Sequence, residues 1–322
     1  MNTLEKLSSR YKGTILGAAI GDALGMPTEY ISREQLDRDY QGRVIKFERA
    51  SSLHPCGHLQ AGQYTDDTQQ LILLAESLLA KKGFSEDDFA QRMGVWADQC
   101  RNVPGFNRFG GGTSLTAGLR IFEGIKKPQG MISPATCGSA MRIAPIGLFY
   151  RTDKDALREA ARASSRVTHN HPLCQDAATY IANLVGSLAD DQEPYLSALE
   201  TKQLLTPSLL TEKIDYILSH YQEQPERVVL TVGLSEKVDE TVPMALYCFL
   251  HSPDNYEETV LNAANLVPGD TDSIACIAGA LSGAYNSCGK IPPRFMENLE
   301  NKRYLEILAT KLWEHSTHTI VS

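Results

Sequence analysis

Long basic runs are missing from this chain. Its 31 Lys and Arg are outnumbered by 39 Asp and Glu, giving a formal charge of -8. Non-specific grip on DNA or RNA needs a basic face, so nucleic acid is disfavoured as a partner. A small anionic ligand is not excluded, because local groups decide that. Paired cysteines are missing too. The seven cysteines (56, 100, 137, 174, 248, 276 and 288) are odd in number, and no two have CxxC spacing. That argues against a disulfide frame or a zinc knot, and for reduced thiols in a cytoplasm. No apolar run reaches the roughly 20 residues of a membrane span. The best candidate, Ile15 to Met26, is short and contains Asp22. Met1 to Arg10 lacks the apolar stretch of a signal peptide, so a cytoplasmic location and no membrane partner are expected. Hydrophobic content of 42% and charged content of 22% lie near globular averages, which argues against a disordered or fibrous class.

Strand-like alternation is scarce. Val44–Phe47 and Val228–Thr231 are brief candidates, and the second reads equally well as helix. No βαβ alternation is present, so a doubly wound sheet is disfavoured. Helical spacing fills the chain instead. Asp66 to Leu79 places Leu71, Leu74, Ala75 and Leu78 on one stripe. Similar patterns cover Asp87–Cys100, Thr113–Phe122, Asp153–Ser164, Leu173–Leu188, Leu209–Tyr221, Thr241–Leu250, Tyr256–Leu266, Ser273–Tyr285 and Arg303–Trp313. Ser85, Ser235 and Asp254 are candidate caps, and Pro243 suits a first turn. Short turn clusters (Pro104-Gly105, Lys127 to Gly130, Ile291 to Pro293) join the segments. The expectation is one all-α domain over residues 1–322, with roughly a dozen helices.

Three segments carry candidate chemistry. In the first, Gly13, Gly17, Gly21 and Gly25 recur on one helix face. Each costs about 1 kcal/mol of helix stability relative to Ala, so a backbone packed very close is the expected compensation. Pro27 disfavours helix at Met26, which leaves Glu29 in the loop just beyond. The second is Thr65-Asp66-Asp67-Thr68, opening a strongly periodic helix. Asp66 with Gln69 fits a capping box, and acids suit a first turn in any case. The third is Asp270-Thr271-Asp272-Ser273, opening the apolar helix from Ile274. Alone, the first reads as a tight helix crossing and the other two as capping. Together they give four Asp flanked by hydroxyls, a set of hard oxygen donors suited to Mg²⁺, Mn²⁺ or Ca²⁺. Crowded carboxylates would raise one another's pKa unless cations neutralised them. Asp272 is placed to bridge two ions, with Glu29 completing the set. No His or Cys falls in the clusters, which argues against zinc.

With two further stretches, these segments resemble the ADP-ribosylglycohydrolase family from about Gly13 to Leu312. The matches are Gly17 to Gly25 with Glu29 seven residues after Asp22, Thr65 to Thr68, Met141-Arg142-Ile-Ala-Pro145-Ile-Gly147, Thr168-His169-Asn170-His171-Pro172, and Gly269 to Gly283. The resemblance implies a compact orthogonal helical bundle around two Mg²⁺ or Mn²⁺ ions. It assigns Thr65, Asp66, Asp67 and Asp272 to one ion, and Glu29, Asp270, Asp272 and Ser273 to the other. The chain departs from the family at Cys137, where Asn is frequent, and at Val267-Pro268. It also has no acid between Asn102 and Thr116.

The implied reaction is hydrolysis of ADP-ribose from a modified protein side chain. Arginine N-linkage is favoured; serine O-linkage or a nucleic-acid base is the alternative. Glu29 or Asp67 would take the proton of the attacking water, Glu29 being preferred. Gly111, Gly112, Thr113 and Ser114 would cradle the pyrophosphate at a helix start. Ser139 and Met141 would touch ribose, His171 a phosphate or ribose, and aromatics near Gly105–Phe109 the adenine. ADP-ribosylated protein, free ADP-ribose and a cognate ADP-ribosyltransferase toxin are the expected partners, the last through an immunity role. Competing readings are a two-metal phosphoester hydrolase, a non-catalytic ADP-ribose binder or toxin-blocking protein, and a metal-stabilised helical domain without chemistry.

Overall fold

The computed structural model describes residues 3–125 and 132–318. The turn cluster at Lys127–Gly130 lies outside the described residues. Sixteen α-helices occur among the described residues. The first eight are α1 (Thr3–Gly25), α2 (Arg33–Tyr40), α3 (Asp66–Lys81), α4 (Glu86–Asn102), α5 (Gly112–Phe122), α6 (Ala144–Phe149), α7 (Lys154–Thr168) and α8 (Pro172–Ala189). The second eight are α9 (Pro194–Lys202), α10 (Leu209–His220), α11 (Pro225–Val232), α12 (Val238–His251), α13 (Tyr256–Ala264), α14 (Thr271–Asn286), α15 (Pro293–Glu297) and α16 (Lys302–His318).

No strand forms among the described residues, and β pairing is confined to one isolated bridge, Thr136 with Lys237. Val228–Thr231 lies inside α11, and Val44–Phe47 is irregular chain. Val44 is irregular because its N–H and C=O both go to the Asn265 side chain, at 2.8 and 2.9 Å. The extra helices beyond a dozen are short or polar (α2, α6, α9, α15), too brief to show a period. One candidate cap holds and two helix starts move. Ser85 caps α4 by accepting from Asp88 N–H. Ser235 instead serves Glu240, whose carboxylate accepts from its N–H and hydroxyl. Asn255, not Asp254, caps α13. α12 begins at Val238, which puts Pro243 inside the helix rather than in its first turn.

The centre of the molecule is the antiparallel pair α1 and α14. Every residue of α1 from Gly13 to Gly25 is buried, as is every residue of α14 from Thr271 to Ala284. Helices buried all round carry no polar face, so little amphipathic signal marks them. The glycine face is where they touch. A Cβ added at Gly13, Gly17, Gly21 or Gly25 would come within 3.0 Å of the backbone at Gly283, Gly279, Ala275 or Thr271 respectively. Gly279 and Gly283 return the contact against Gly17 and Gly13. Backbone therefore lies on backbone from Gly13 to Gly25, and the helix-propensity cost of the glycines is offset by packing. The Tyr256 hydroxyl bonds Gly17 C=O at 2.9 Å and helps hold the crossing. Because the pair is antiparallel, the C-terminal end of α1 meets the N-terminal end of α14. Thr28 and Thr271 tie that end together. Both hydroxyls donate to Gly25 C=O, at 2.9 and 3.0 Å.

Overpacking a close-packed contact costs about 1–3 kcal/mol. Gly21→Ala is expected to lower the urea midpoint, although Ala is the better helix former. An unchanged or higher midpoint in equilibrium unfolding would show that the close approach is not required.

Candidate active site

The site forms where three helix ends converge. α3 begins at Asp66, and its cap is Thr65, whose hydroxyl accepts from Asp67 N–H. The capping box expected from Asp66 and Gln69 is not formed. Gln69 turns away to accept from the Trp96 indole N–H. Asp22, fully buried in α1, pins this helix start. Its carboxylate accepts from Thr65 N–H (2.8 Å), Thr68 N–H (3.0 Å) and the Thr68 hydroxyl (2.6 Å). An acid at the positive end of a helix is favourable. Here it docks α3 on α1 and leaves Asp66 and Asp67 facing the α14 start.

On the α14 side, Asp270 is the N-cap residue and Asp272 lies in the first turn. Asp270 Oδ2 accepts from the Thr241 hydroxyl (3.2 Å) and the Cys137 thiol (3.2 Å). The Ser273 N–H donates to Asp272 at 2.8 Å. Glu29 arrives from the loop after α1, its C=O in a hydrogen bond with His54 Nε2 at 2.9 Å. One carboxylate oxygen each from Glu29, Asp270 and Asp272 lie within 4.8 Å of one another. Glu29 Oε2 and Asp67 Oδ2 are buried with no hydrogen-bond partner. Orphaned carboxylate oxygens among hard donors are what a divalent cation would satisfy. The residues present therefore fit a hard-metal site.

Without cations the cluster resists ionisation. Burial, then the charge of Asp272, pushes Asp22 up to about 7. Burial first and neighbouring carboxylates second hold Glu29, Asp66, Asp67 and Asp272 well above the usual carboxylate range. Burial also raises Asp270, though hydrogen bonds moderate the effect.

A cavity of about 810 Å³ opens above the carboxylates. Of the candidate substrate residues, Gly111, Gly112, Thr113, Ser114 and Met141 line it, beside Phe109. Ser139 does not. It is fully buried behind the wall, within hydrogen-bond distance of Cys174 C=O and the Ser165 hydroxyl. His171 does not line it either, because its ring accepts from Leu173 N–H as the cap of α8. Thr65 is fully buried and does not line the cavity. Phe106 lines a separate groove.

Other residues come forward. His169, the first histidine of Thr168-His-Asn-His-Pro, lines the cavity. It shares hydrogen bonds with Thr168 Oγ1 at 2.7 Å and Thr136 Oγ1 at 3.0 Å. Behind it stands Arg142, fully buried and held at about 9 by desolvation. Arg142 donates to Thr168 Oγ1 (2.7 Å) and Gln70 Oε1 (2.6 Å), and Gln70 Nε2 donates to Asp66 at 2.6 Å. One buried cation thus connects a candidate ligand to the cavity wall. The paired histidines were the signal available for His169. Nothing local marks Thr136, Arg120 or Glu236, which also line the cavity.

Comparison with known proteins gives relatives over nearly the whole chain. A sequence profile of the ADP-ribosylglycohydrolase family matches residues 3–320. An uncharacterised protein of Archaeoglobus fulgidus is 36% identical over 96% of this chain and 97% of its own. Human ADP-ribosylhydrolase ARH3 is 28% identical over 94% and 93%. ADP-ribosylarginine hydrolase Tri1 of Pseudomonas putida is 28% identical over 98% and 80%. A solved chain described as an ADP-ribosylglycohydrolase-related protein complex superposes with a TM-score of 0.79 at 28% identity, covering 97% of this chain and 99% of that one.

The raised carboxylates set the pH dependence of the metal-free protein. The unfolded chain releases these protons near pH 4, whereas the folded chain keeps them longer, Asp22 to about 7. Between those values the folded state binds more protons, so stability falls as pH rises. Thermal melts in EDTA are expected to show a lower midpoint at pH 8 than at pH 5.5. Mg²⁺ or Mn²⁺ should raise the midpoint more at pH 8. A metal-free midpoint that rises across this interval would contradict the burial of these groups.

Proposed function

The chain belongs to the ADP-ribosylglycohydrolase family, glycosyl hydrolases acting on ADP-ribose linkages, and from that premise we propose that it removes ADP-ribose from modified protein side chains with the help of two bound Mg²⁺ or Mn²⁺ ions. The observation that carries this is the pair of orphaned buried oxygens, on Glu29 and Asp67, at the floor of the cavity beside Asp270 and Asp272. A stable apolar scaffold has no use for them, since each unsatisfied buried polar group costs about 1–3 kcal/mol. Thr65, Asp66, Asp67 and Asp272 would hold one ion, and Glu29, Asp270, Asp272 and Ser273 the other. Bound cations would neutralise the carboxylates, orient the ribose diol and polarise the sugar.

The chain's own groups would do the rest. At the start of α5 the Gly112 N–H offers a hydrogen bond to the pyrophosphate, while the Gly111 N–H donates to the Asp66 carboxylate. Neither glycine has an atom within 4 Å of where a Cβ would stand, so a ligand can lie against the backbone. Met141 and Ser114 would bound the ribose. The C1″ bond to the side-chain nitrogen or oxygen breaks with its electron pair going to that atom, which takes a proton. Water oxygen bonds to C1″, and the Glu29 carboxylate accepts its proton, with Asp67 as the second candidate. Negative carboxylates beneath the sugar favour the positive charge that develops at C1″.

Arginine linkage is the reading we put first, supported by the likeness to an ADP-ribosylarginine hydrolase. The equal likeness to ADP-ribosylhydrolase ARH3, whose name specifies no arginine, and the absence of acid between Asn102 and Thr116 leave an O-linked substrate as the second. Reversing the work of an ADP-ribosyltransferase toxin in a cytoplasm would follow from the same chemistry. Seven unpaired cysteines suit a reducing compartment.

Free ADP-ribose should appear when the protein is incubated with ADP-ribosylated protein and Mg²⁺ or Mn²⁺, and should cease in excess EDTA. Asp272→Asn is expected to cost at least about 100-fold in kcat/KM, more than loss of an outer hydrogen-bond partner usually does, with a native circular dichroism spectrum. Full turnover in EDTA would remove the metals from the reading. Phosphate release from simple esters would replace it with the phosphoester reading.

A further inference from the structure

The cavity is electrically lopsided. Among the described residues that line it, the one Lys or Arg is Arg120, near the far end of α5. Arg120 lies eight residues beyond Gly112, about 12 Å along the helix. Around it are Ile121 and Ile125. At the opposite side the carboxylates of the floor continue onto the rim as Glu236, which is exposed. Hydrogen bonds set the order of segments from the start of α5 to Glu236. Thr113 of α5 is bonded to Thr136 (3.2 Å). The backbone of Thr136–Cys137 then lies between α5 and the segment carrying Glu236. There Cys137 N–H donates to Glu236 C=O at 2.9 Å, and Val238 N–H donates to Ala135 C=O at 2.9 Å.

Glu236 is aimed as well as anchored. The Tyr30 hydroxyl donates to its Oε2 at 3.1 Å. Tyr30 follows Glu29 directly and holds a left-handed backbone (φ 54°), an unfavourable conformation for an aromatic residue. Its N–H is fixed to Gly269 C=O at 2.9 Å. The adjacent Lys237 does not neutralise Glu236, since its ammonium lies 3.4 Å from Glu240 instead.

We infer that Glu236, held by Tyr30, is the specificity determinant for the leaving side chain, and that it selects a cationic guanidinium over a neutral hydroxyl. The inference rests on the ADP-ribose hydrolysis proposed above and goes on to name the substrate class. With the pyrophosphate toward α5 and Arg120, the group bonded to C1″ projects past Glu29 toward Tyr30 and Glu236. An ADP-ribosylated arginine keeps its positive charge, and its planar N–H fork matches a carboxylate. Serine at the same position presents neither.

The test is the ratio of kcat/KM on matched peptides bearing ADP-ribosyl-arginine and ADP-ribosyl-serine. The wild-type protein should prefer arginine. Glu236→Gln keeps shape and removes the charge, and should lower the ratio about tenfold, mainly through KM for the arginine peptide. Should that variant fail to fold, Tyr30→Phe, which removes the aiming hydroxyl alone, should move the ratio in the same direction. A ratio unchanged in the variant, or a wild-type preference for serine, overturns the assignment while leaving ADP-ribose hydrolysis standing. Release of ADP-ribose from neither peptide would overturn the activity itself.

Discussion

Burial of several neighbouring carboxylates is the constraint around which this molecule is arranged. Asp22, Glu29, Asp66, Asp67, Asp270 and Asp272 are all nearly or wholly removed from water. Their ionised forms would disfavour the fold unless something met their charge. Two devices on the page do so in part. The starts of α3 and α14 present their N-terminal dipole ends. Hydroxyl and amide donors from Thr65, Thr68, Thr241 and Gln70 satisfy individual oxygens. These leave Glu29 Oε2 and Asp67 Oδ2 unsatisfied, which marks the point where protein donors stop and a cation would begin.

The glycine crossing follows from the same constraint. Carboxylates on separate helices converge only if the helix ends do, and side chains between α1 and α14 would hold the axes apart. Glycine at every fourth position lets the backbones meet. The closest approach then continues to the end that carries Thr28, Thr271 and the acids. The close helix crossing and the chemical site are thus not alternative explanations of the Gly13–Gly25 face. The first delivers the second.

This explains why some of the site could be read from the sequence and some could not. The acids were legible because each sits at a local event: after Pro27, at a helix start, or after Pro268-Gly269. The number of helices was underestimated where elements such as α2 and α15 are too short to repeat a pattern. Within Thr168-His169-Asn170-His171-Pro172 the sequence offers two histidines with equal credentials. The geometry separates them, since His171 turns to cap α8 while His169, at the end of α7, faces the cavity. Ser139 fails for a related reason. Residues 137 to 139 form one tight turn, so Cys137 and Gly138 reach the cavity and Ser139 points behind it. Thr136 and Glu236 owe their places to a pairing across a hundred residues, which no local pattern encodes.

Arg142 shows how such long-range placement affects chemistry. A fully buried guanidinium costs several kcal/mol of desolvation, and this one has no carboxylate within salt-bridge distance. Its hydrogen bonds instead reach Gln70, hence Asp66, and Thr168, hence His169. Gln70 has one orientation compatible with that arrangement. Its oxygen must face Arg142, so its nitrogen must face Asp66. The amide therefore converts a fixed cation into a fixed donor, leaving the remaining Asp66 oxygen with a defined direction. A neutral, flexible residue at 142 would let Gln70 rotate and remove that direction while leaving every acid in place. The acids supply the charge of this site, and the buried arginine supplies its geometry.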